Sequence, residues 1–126
     1  MIQQESVLTV IDNSGAKFVK CIKVLGKFKK KYAKLGDLVI VSIQQLRNRL
    51  KNTSKVSKKN IFKALVVRIK KGYKKRDGSI FLLGDNAVIL VDKQNNPIGT
   101  RVTGPIAKKL RKKKFIKFFS LASGLI

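Results

Sequence analysis

Short apolar runs alternate with polar, glycine-marked turns along most of the chain. Strands are predicted at Val7–Ile11, Phe18–Leu25, Leu38–Ile43, Ala64–Ile69 and Ala87–Val91, with a shorter one at Ile98–Val102. Runs of this length, rich in β-branched residues and separated by turns, are typical of all-β domains. The pattern therefore predicts a small β-barrel or a β-sandwich.

The last part of the chain has a different pattern. Thr103-Gly104-Pro105 predicts a helix entry, because proline suits the first helical turn. Apolar residues then recur at helical spacing as Ile106, Ala107 and Leu110, and again as Phe115, Ile116 and Phe119. We expect two short helices, or one broken helix, packed on the strands. The chain would be a single domain over residues 1–126, with a barrel at about 1–103 and a helical tail at about 104–126.

The charge of the chain departs most from that of an ordinary domain. It has 126 residues, with 30 Lys+Arg against 6 Asp+Glu and a formal net charge of +24. Self-repulsion on this scale destabilises a compact state, so we expect a polyanion to neutralise it. RNA phosphates are the first candidate, and an anionic membrane surface is the competing one.

Most of the cationic residues fall in the predicted turns and in the tail. Because lysine acts on phosphate as a flexible point charge, the pattern favours recognition of RNA shape and backbone over reading of bases. Arg68, Arg76 and Arg101 are the candidates for bidentate phosphate contacts. The predicted RNA-binding residues are Lys17, Lys23, Lys29, Lys30, Lys31, Arg47, Arg49, Lys51, Lys63, Arg68, Lys70, Lys71, Lys74, Lys75, Arg76, Lys108 and Arg111.

Three aromatic residues lie within these basic stretches. Phe28, Tyr32 and Tyr73 could stack on RNA bases. We favour the alternative that they anchor their loops on the barrel, since aromatic rings contribute much of the packing in a small protein.

The residues that carry most enzyme chemistry are scarce. The chain has no histidine, which removes the usual general base and metal ligand. Its one cysteine, Cys21, lies in an apolar stretch and is expected to be a small buried residue. The six carboxylates are scattered, and Asp12, Asp37, Asp77 and Asp85 lie in turn-like contexts. We predict no enzyme activity, metal or cofactor, with a two-carboxylate metal site built from turn residues as the open alternative.

Membrane and export signals are not predicted. No apolar run approaches the ~20 residues that a membrane-spanning helix needs. The segment Met1–Glu5 matches neither a signal peptide nor a transit peptide. We therefore expect the protein to work in the reducing compartment in which it is made.

A series of short motifs runs along nearly the whole chain. In order they are Asp12–Ala16, Cys21–Gly26, Tyr32-Ala33, Gly36-Asp37, Lys63–Arg68, Lys70–Gly72, Asp77–Ser79, Asp85–Ala87, Pro97–Arg101, Gly104-Pro105 and Phe115–Lys117. None is specific alone, but the series resembles the universal family of large-ribosomal-subunit protein fourteen. This resemblance implies a mainly β fold, a small five-stranded β-barrel with short C-terminal α-helices.

The resemblance also implies a function and partners. The protein would be a structural constituent of the large ribosomal subunit that binds large-subunit rRNA. It would contribute to an intersubunit bridge with small-subunit rRNA during translation, and would contact neighbouring large-subunit proteins. A ribosome silencing factor would dock on the same intersubunit face, which would include Thr100, Arg101 and Lys117. The family is neither a membrane protein nor a free homo-oligomer.

Some positions depart from the family pattern. Leu83 lies near a position where an aromatic is usual, Lys112 and Lys113 replace frequent acidic residues, and Asn48–Asn60 matches poorly. The excess of lysine over arginine, with only six Arg, favours a mitochondrial matrix ribosome. Bacterial cytoplasm and plastid stroma are the alternatives.

Three other functions stay open from the residues alone. A free RNA chaperone or single-strand binder would need exposed aromatics on a strand face. An enzyme acting on RNA would need the missing catalytic groups. A membrane-active cationic protein would use only the amphipathic segment Ile106–Phe119.

Overall fold

The computed structural model describes residues 2–26, 28–47, 55–110 and 115–125. The strands in this part of the chain are β1 (Val7–Val10), β2 (Ala16–Val24), β3 (Leu38–Leu46), β4 (Ile61–Arg68), β5 (Tyr73–Lys74), β6 (Ile80–Phe81), β7 (Ala87–Val91), β8 (Val102–Ile106) and β9 (Ala122–Leu125). A 3-10 turn covers Lys108–Leu110, and the α-helix α1 covers Ile116–Leu121.

Five strands form a closed barrel in the order β1-β2-β3-β4-β7. Neighbouring strands are antiparallel except β1 and β7, which close the barrel in parallel with Thr9 opposite Ala87. Alternate residues point inward, and β-branched side chains such as Val41, Val66 and Val88 fill the interior. The predicted mainly β fold with a five-stranded barrel is confirmed, and of the predicted short C-terminal α-helices the described residues contain one, α1.

The middle of β4, from Ala64 to Val67, and the whole of β7 are buried on both faces. Leu65 and Val67 of β4 and Ile89 of β7 point outward, and Ile106 and Phe118 of the C-terminal segment belong to the same buried cluster. All of β7 is therefore apolar, since neither of its faces meets water. The C-terminal segment covers this side of the barrel, whereas residues on the outer faces of β1 and β2 remain exposed.

A two-stranded hairpin, β5–β6, lies in the connection between β4 and β7. Tyr73 stacks on Phe81 with the ring centroids 5.8 Å apart, and Lys75 Nζ lies 3.9 Å from the centre of the Phe81 ring. Gly72 precedes the hairpin with a φ of +74°, and a Cβ atom there would overlap the carbonyl oxygen of Phe81. The entry to the hairpin therefore requires glycine.

The predicted strand Ile98–Val102 is wrong. The Asn13 side chain accepts hydrogen bonds from the backbone N–H groups of Thr100 and Arg101, which removes them from any strand ladder. Gly99 packs so closely that a Cβ atom would lie 2.7 Å from Asn13 Oδ1. The segment is consequently a bent connection.

The predicted helix entry at Thr103-Gly104-Pro105 is also wrong. These residues belong to β8, in which Gly104 has a φ of +80° and Pro105 pairs with Gly124 of β9. Proline is tolerated because β8 and β9 form a separate parallel pair and not the middle of a sheet. The expected division near residue 103 thus falls inside β8.

The two helical clusters predicted after Pro105 differ in length. The first becomes the 3-10 turn at Lys108–Leu110, and the second becomes the six-residue helix α1. The residues between them, 111–114, lie outside the described part of the chain.

Candidate nucleic-acid interface

The barrel topology sorts the connections between strands onto two ends. Connections 25–37 and 69–86 leave one end, here named the lysine end. Connections 11–15 and 92–101 leave the other, here named the asparagine end. Because loops on a rigid barrel are well placed to carry binding groups, each end can serve a different partner.

A groove of about 570 Å³ opens at the lysine end. Lys30 and Lys34 of the first connection and Lys71 and Lys74 of the second line it. Two loops that are distant in sequence thus place four cationic side chains around one concavity, here named the lysine groove. The sequence alone does not indicate that these loops meet, and Lys34 is not among the predicted RNA-binding residues.

One carboxylate, Asp37, is among the residues that line the lysine groove. Its Oδ2 atom lies 2.8 Å from Lys30 Nζ and accepts a hydrogen bond of 2.7 Å from the backbone N–H of Lys34. Asp37 therefore shapes the loop and neutralises one lysine. The remaining three lysines leave the groove cationic.

Five more predicted RNA-binding residues lie on the same two connections. Four of them are exposed, namely Lys29, Lys31, Lys70 and Arg76. The fifth, Lys75, is half-buried, with its ammonium group over the Phe81 ring. They extend the positive surface from the groove to the tip of the hairpin.

Arg68 is turned toward a partner within the chain. Its Nη2 atom lies 3.3 Å from Asp85 Oδ2, and its Nε atom lies 3.3 Å from Asp85 Oδ1 without hydrogen-bond geometry. The side chain is only 16% exposed, and a Cβ atom at Gly104 would lie 3.0 Å from Nη1. A phosphate would have to compete with Asp85 for this guanidinium, so its phosphate contact stays a prediction.

The asparagine end is organised by Asn13. Its Oδ1 atom accepts hydrogen bonds from the N–H groups of Thr100 at 2.7 Å and Arg101 at 3.2 Å. Its Nδ2 atom donates to Thr100 Oγ1 at 2.8 Å. The side chains of Thr100 and Arg101 are thereby presented outward on a fixed backbone.

The helix α1 is tied to the same connection. Lys117 Nζ donates a hydrogen bond of 2.6 Å to Asn96 Oδ1. All three residues predicted for an intersubunit face, Thr100, Arg101 and Lys117, therefore belong to or contact the connection 92–101. They are separated in sequence, and the fold brings them to one end of the barrel.

A buried carboxylate lies beneath this end. Asp12 is 3% exposed and accepts hydrogen bonds from Ser14 N, Ser14 Oγ and Leu90 N. Burial raises the pKa of Asp12, and the hydrogen bonds from Ser14 and Leu90 and the charge of Arg47 oppose that rise. Arg47 also donates a hydrogen bond of 3.0 Å through Nη2 to the carbonyl of Val10. Its guanidinium is therefore partly engaged by the barrel backbone.

The family model described as Ribosomal protein L14p/L23e matches residues 1–126. The chain belongs to the L14p/L23e family. The resemblance proposed from the short motifs is thereby confirmed over the whole chain. The protein has a structural role in the large ribosomal subunit and in translation, as part of a ribonucleoprotein.

The remaining predicted RNA-binding residues of this L14p/L23e chain are spread out. Lys17 and Lys23 are exposed on β2, Lys63 is half-buried on β4, and Lys108 is exposed in the 3-10 turn. Three further predicted residues lie outside the described part of the chain; they are Arg49, Lys51 and Arg111. None of the four described residues lines the lysine groove.

The prediction that the three aromatic residues anchor their loops on the barrel is wrong for one of them. Tyr73 stacks on Phe81 within the hairpin itself, so this contact holds the hairpin together and leaves its anchoring on the barrel a prediction. Phe28 is 92% exposed and Tyr32 is 47% exposed, so Phe28 does not anchor its loop. The L14p/L23e fold thus displays a phenylalanine ring that sequence reasoning assigned to packing.

Three features of the described residues of this L14p/L23e chain concern metal ligands, helix length and the cysteine. Within residues 2–26, 28–47, 55–110 and 115–125, no group of three or more His, Cys, Asp or Glu could hold a metal ion. In the same part of the chain, no helix is long and apolar enough to span a bilayer. Cys21 is buried and unpaired, as predicted, and burial raises the pKa of its thiol.

Proposed function

We propose that the lysine end of this protein binds large-subunit rRNA through the phosphate backbone. The observation that carries the proposal is the lysine groove, in which two connections place four lysines around one concavity with a single carboxylate. Lysine ammonium groups bind phosphate without geometric selection of bases, so such a groove is suited to the shape of folded RNA. The net charge of +24 supports the same partner, because phosphates screen charge that would otherwise repel itself.

Reversing two charges of the groove should impair assembly. In Lys71→Glu/Lys74→Glu we expect incorporation into large subunits to fall several-fold, because two phosphate contacts become repulsive. The salt dependence of rRNA-fragment binding should also weaken, with the log–log slope falling by about two. Quantitative mass spectrometry of purified subunits and titrations at several salt concentrations measure these effects. Unchanged incorporation with an unchanged slope would refute the proposal.

We also propose that the asparagine end faces the small subunit. There it would contribute to a bridge with small-subunit rRNA and would be the docking face for a ribosome silencing factor. Support comes from Thr100, Arg101 and Lys117, which lie on or contact one connection at the end opposite the lysine groove. A protein with cationic groups at both ends of a rigid barrel can link two RNA surfaces.

Arg101→Glu should separate joining from assembly. We expect subunit association to weaken about tenfold, the effect of replacing one charge-assisted contact by repulsion, while incorporation into large subunits stays near wild type. Sedimentation of purified subunits at graded Mg²⁺ measures the first, and mass spectrometry the second. The groove variant is the matched control, with the opposite pattern expected. If Arg101→Glu reduces incorporation as much as joining, Arg101 belongs to the RNA contact within its own subunit.

The remaining proposals rest on membership of the L14p/L23e family. We propose contacts with neighbouring large-subunit proteins, no catalytic activity and no free homo-oligomer. We propose a mitochondrial ribosome as the location, on the excess of lysine over arginine noted above. Fractionation of cells that carry the tagged chain distinguishes it from bacterial or plastid ribosomes.

A further inference from the structure

The tip of the connection between β2 and β3 displays an aromatic ring. Phe28 is 92% exposed, more than any other large apolar side chain in the described part of the chain. Exposing a phenylalanine ring to water forgoes about 2 kcal/mol of burial energy, which is unfavourable unless the ring has a partner. A partner that covers the ring would recover this energy.

The base of this connection is firmly held. Ile2 and Ala33 exchange two backbone hydrogen bonds of 2.7 and 3.3 Å, and Leu25 N donates to Leu38 O at 3.1 Å. The ion pair between Lys30 and Asp37 closes the same loop. The two ends of the loop that carries Phe28 are thus fixed to the barrel and to the N-terminal segment.

A concavity of about 1000 Å³ lies beside the ring. Phe28, Tyr32, Ile22 and Leu25 contribute apolar surface, and Tyr32 is half-exposed. Four lysines line the same concavity; they are Lys23, Lys29, Lys30 and Lys31. Among the described residues, no carboxylate lines the concavity, whereas the exposed Gln3 and Gln4 do.

We propose that this concavity binds an unpaired nucleotide of RNA, with its base stacked on Phe28. The inference deepens the proposed rRNA binding and rests on it. Lys29 and Lys31 would contact the flanking phosphates, and the amides of Gln3 and Gln4 offer donors and acceptors to a base edge. Surfaces that bind single-stranded nucleic acid usually combine aromatic side chains with cationic ones.

The chemistry favours a nucleotide over an apolar protein segment. A purely apolar partner would bury Lys29 and Lys31 without a counter-charge, which is costly. Lys29 Nζ lies 5.6 Å from the centre of the Phe28 ring, so any group stacked there meets a positive charge. A paired helix cannot offer a free base face, because its bases stack on one another. An acidic peptide is the alternative occupant that the experiment must distinguish from an RNA nucleotide.

Full-length protein and three variants distinguish these partners. Binding is measured for a labelled single-stranded RNA of about 12 nucleotides and for an RNA duplex of equal length, at about 0.3 M KCl to weaken non-specific phosphate contacts. Phe28→Leu should weaken single-strand binding about tenfold, since it keeps apolar bulk and removes the stacking face. Phe28→Trp should restore the affinity. Ile61→Ala, at another exposed apolar residue, should have no effect.

Photocrosslinking gives the direct readout. A 5-iodouridine in the single strand should crosslink to Phe28, mapped by mass spectrometry. Full affinity in Phe28→Leu would overturn the inference in favour of an apolar or peptide partner, as would equal losses on single strand and duplex. The groove variant Lys71→Glu/Lys74→Glu should weaken both RNAs alike. If the groove variant binds both RNAs with full affinity, the proposed function is contradicted. If only Phe28→Leu keeps full affinity, the stacking inference alone is contradicted.

Discussion

Gly72→Ala should unpair the hairpin β5–β6 while the barrel stays closed. Gly72 has a φ of +74°, a region that side chains disfavour, and an added Cβ atom would overlap the Phe81 carbonyl. The overlap involves backbone, so no side-chain rotation can relieve it. Because β5 and β6 have only two residues each, few other hydrogen bonds hold the hairpin against this displacement.

Amide hydrogen exchange measures the effect of this substitution. Protection of the hairpin amides around Lys74 and Ile80 should fall about 100-fold, the size expected for local opening of a strained turn. Gly78→Ala is the matched control, since Gly78 also has a positive φ, +91°, but no atom of the described residues beyond Gly78 and its chain neighbours lies within 4 Å of its added Cβ. We expect a loss of about tenfold or less there, from backbone strain alone. Equal effects would show that the contact with Phe81 is unimportant.

Asp12→Ala should lower the free energy of unfolding by about 3 kcal/mol, because it leaves the buried hydrogen-bond donors of Ser14 and Leu90 without an acceptor. The side chain accepts from the backbone N–H of Ser14 and of Leu90, both at 3.2 Å, and thereby joins the β1–β2 turn to β7. In a domain of this size the loss corresponds to a fall in melting temperature of about 10 °C. Urea unfolding followed by circular dichroism measures it.

The control for this prediction is Asp77→Ala. Asp77 also accepts from a backbone N–H two residues ahead, that of Ser79 at 2.9 Å, but it lies in the exposed hairpin turn. Water can replace the lost acceptor there, so the unfolding midpoint should barely change. Similar losses in both variants would show that the burial of Asp12 does not determine its contribution.

The pH dependence of stability gives a second test of Asp12. Burial holds its folded-state pKa above 3.8, the ordinary value for an aspartate, so the native state binds this proton more tightly than the unfolded chain. Stability from this group is therefore fully present below pH 3.8 and falls as pH rises through the folded-state pKa. Relative to Asp12→Asn, wild type should lose stability as pH rises through that window. The opposite trend would mean that the three donors outweigh desolvation.

The barrel was largely predictable because its strands carry their own signal. The run Ala87–Val91 is apolar throughout and was predicted with correct bounds. β8 and β9 were missed because Pro105 and Gly104 locally favour a helix entry, whereas their strand depends on a partner near Gly124. Pairing between segments on either side of a helix leaves no periodic trace in the chain.

The candidate surface was predictable by residue type and not by arrangement. Loop lysines such as Lys71 and Lys74 follow from charge and turn signals. Their meeting with Lys30 depends on strand order, and the pairing of Arg68 with Asp85 depends on the path of the chain after β4. The exposure of Phe28 was equally unpredictable, because nothing in the sequence around it distinguishes a packed ring from a solvent-exposed one.

The double burial of β4 and β7 has a consequence for synthesis. The barrel strands are complete once Val91 has been made, but much of the cover over Leu65, Val67 and Ile89 comes from later residues such as Val102, Ile106 and Phe118. A nascent or truncated chain that stops before β8 would therefore expose an apolar strip on an otherwise finished barrel. That strip would be a recognition feature for chaperones and proteases, and its burial would report that β8 and α1 have been added.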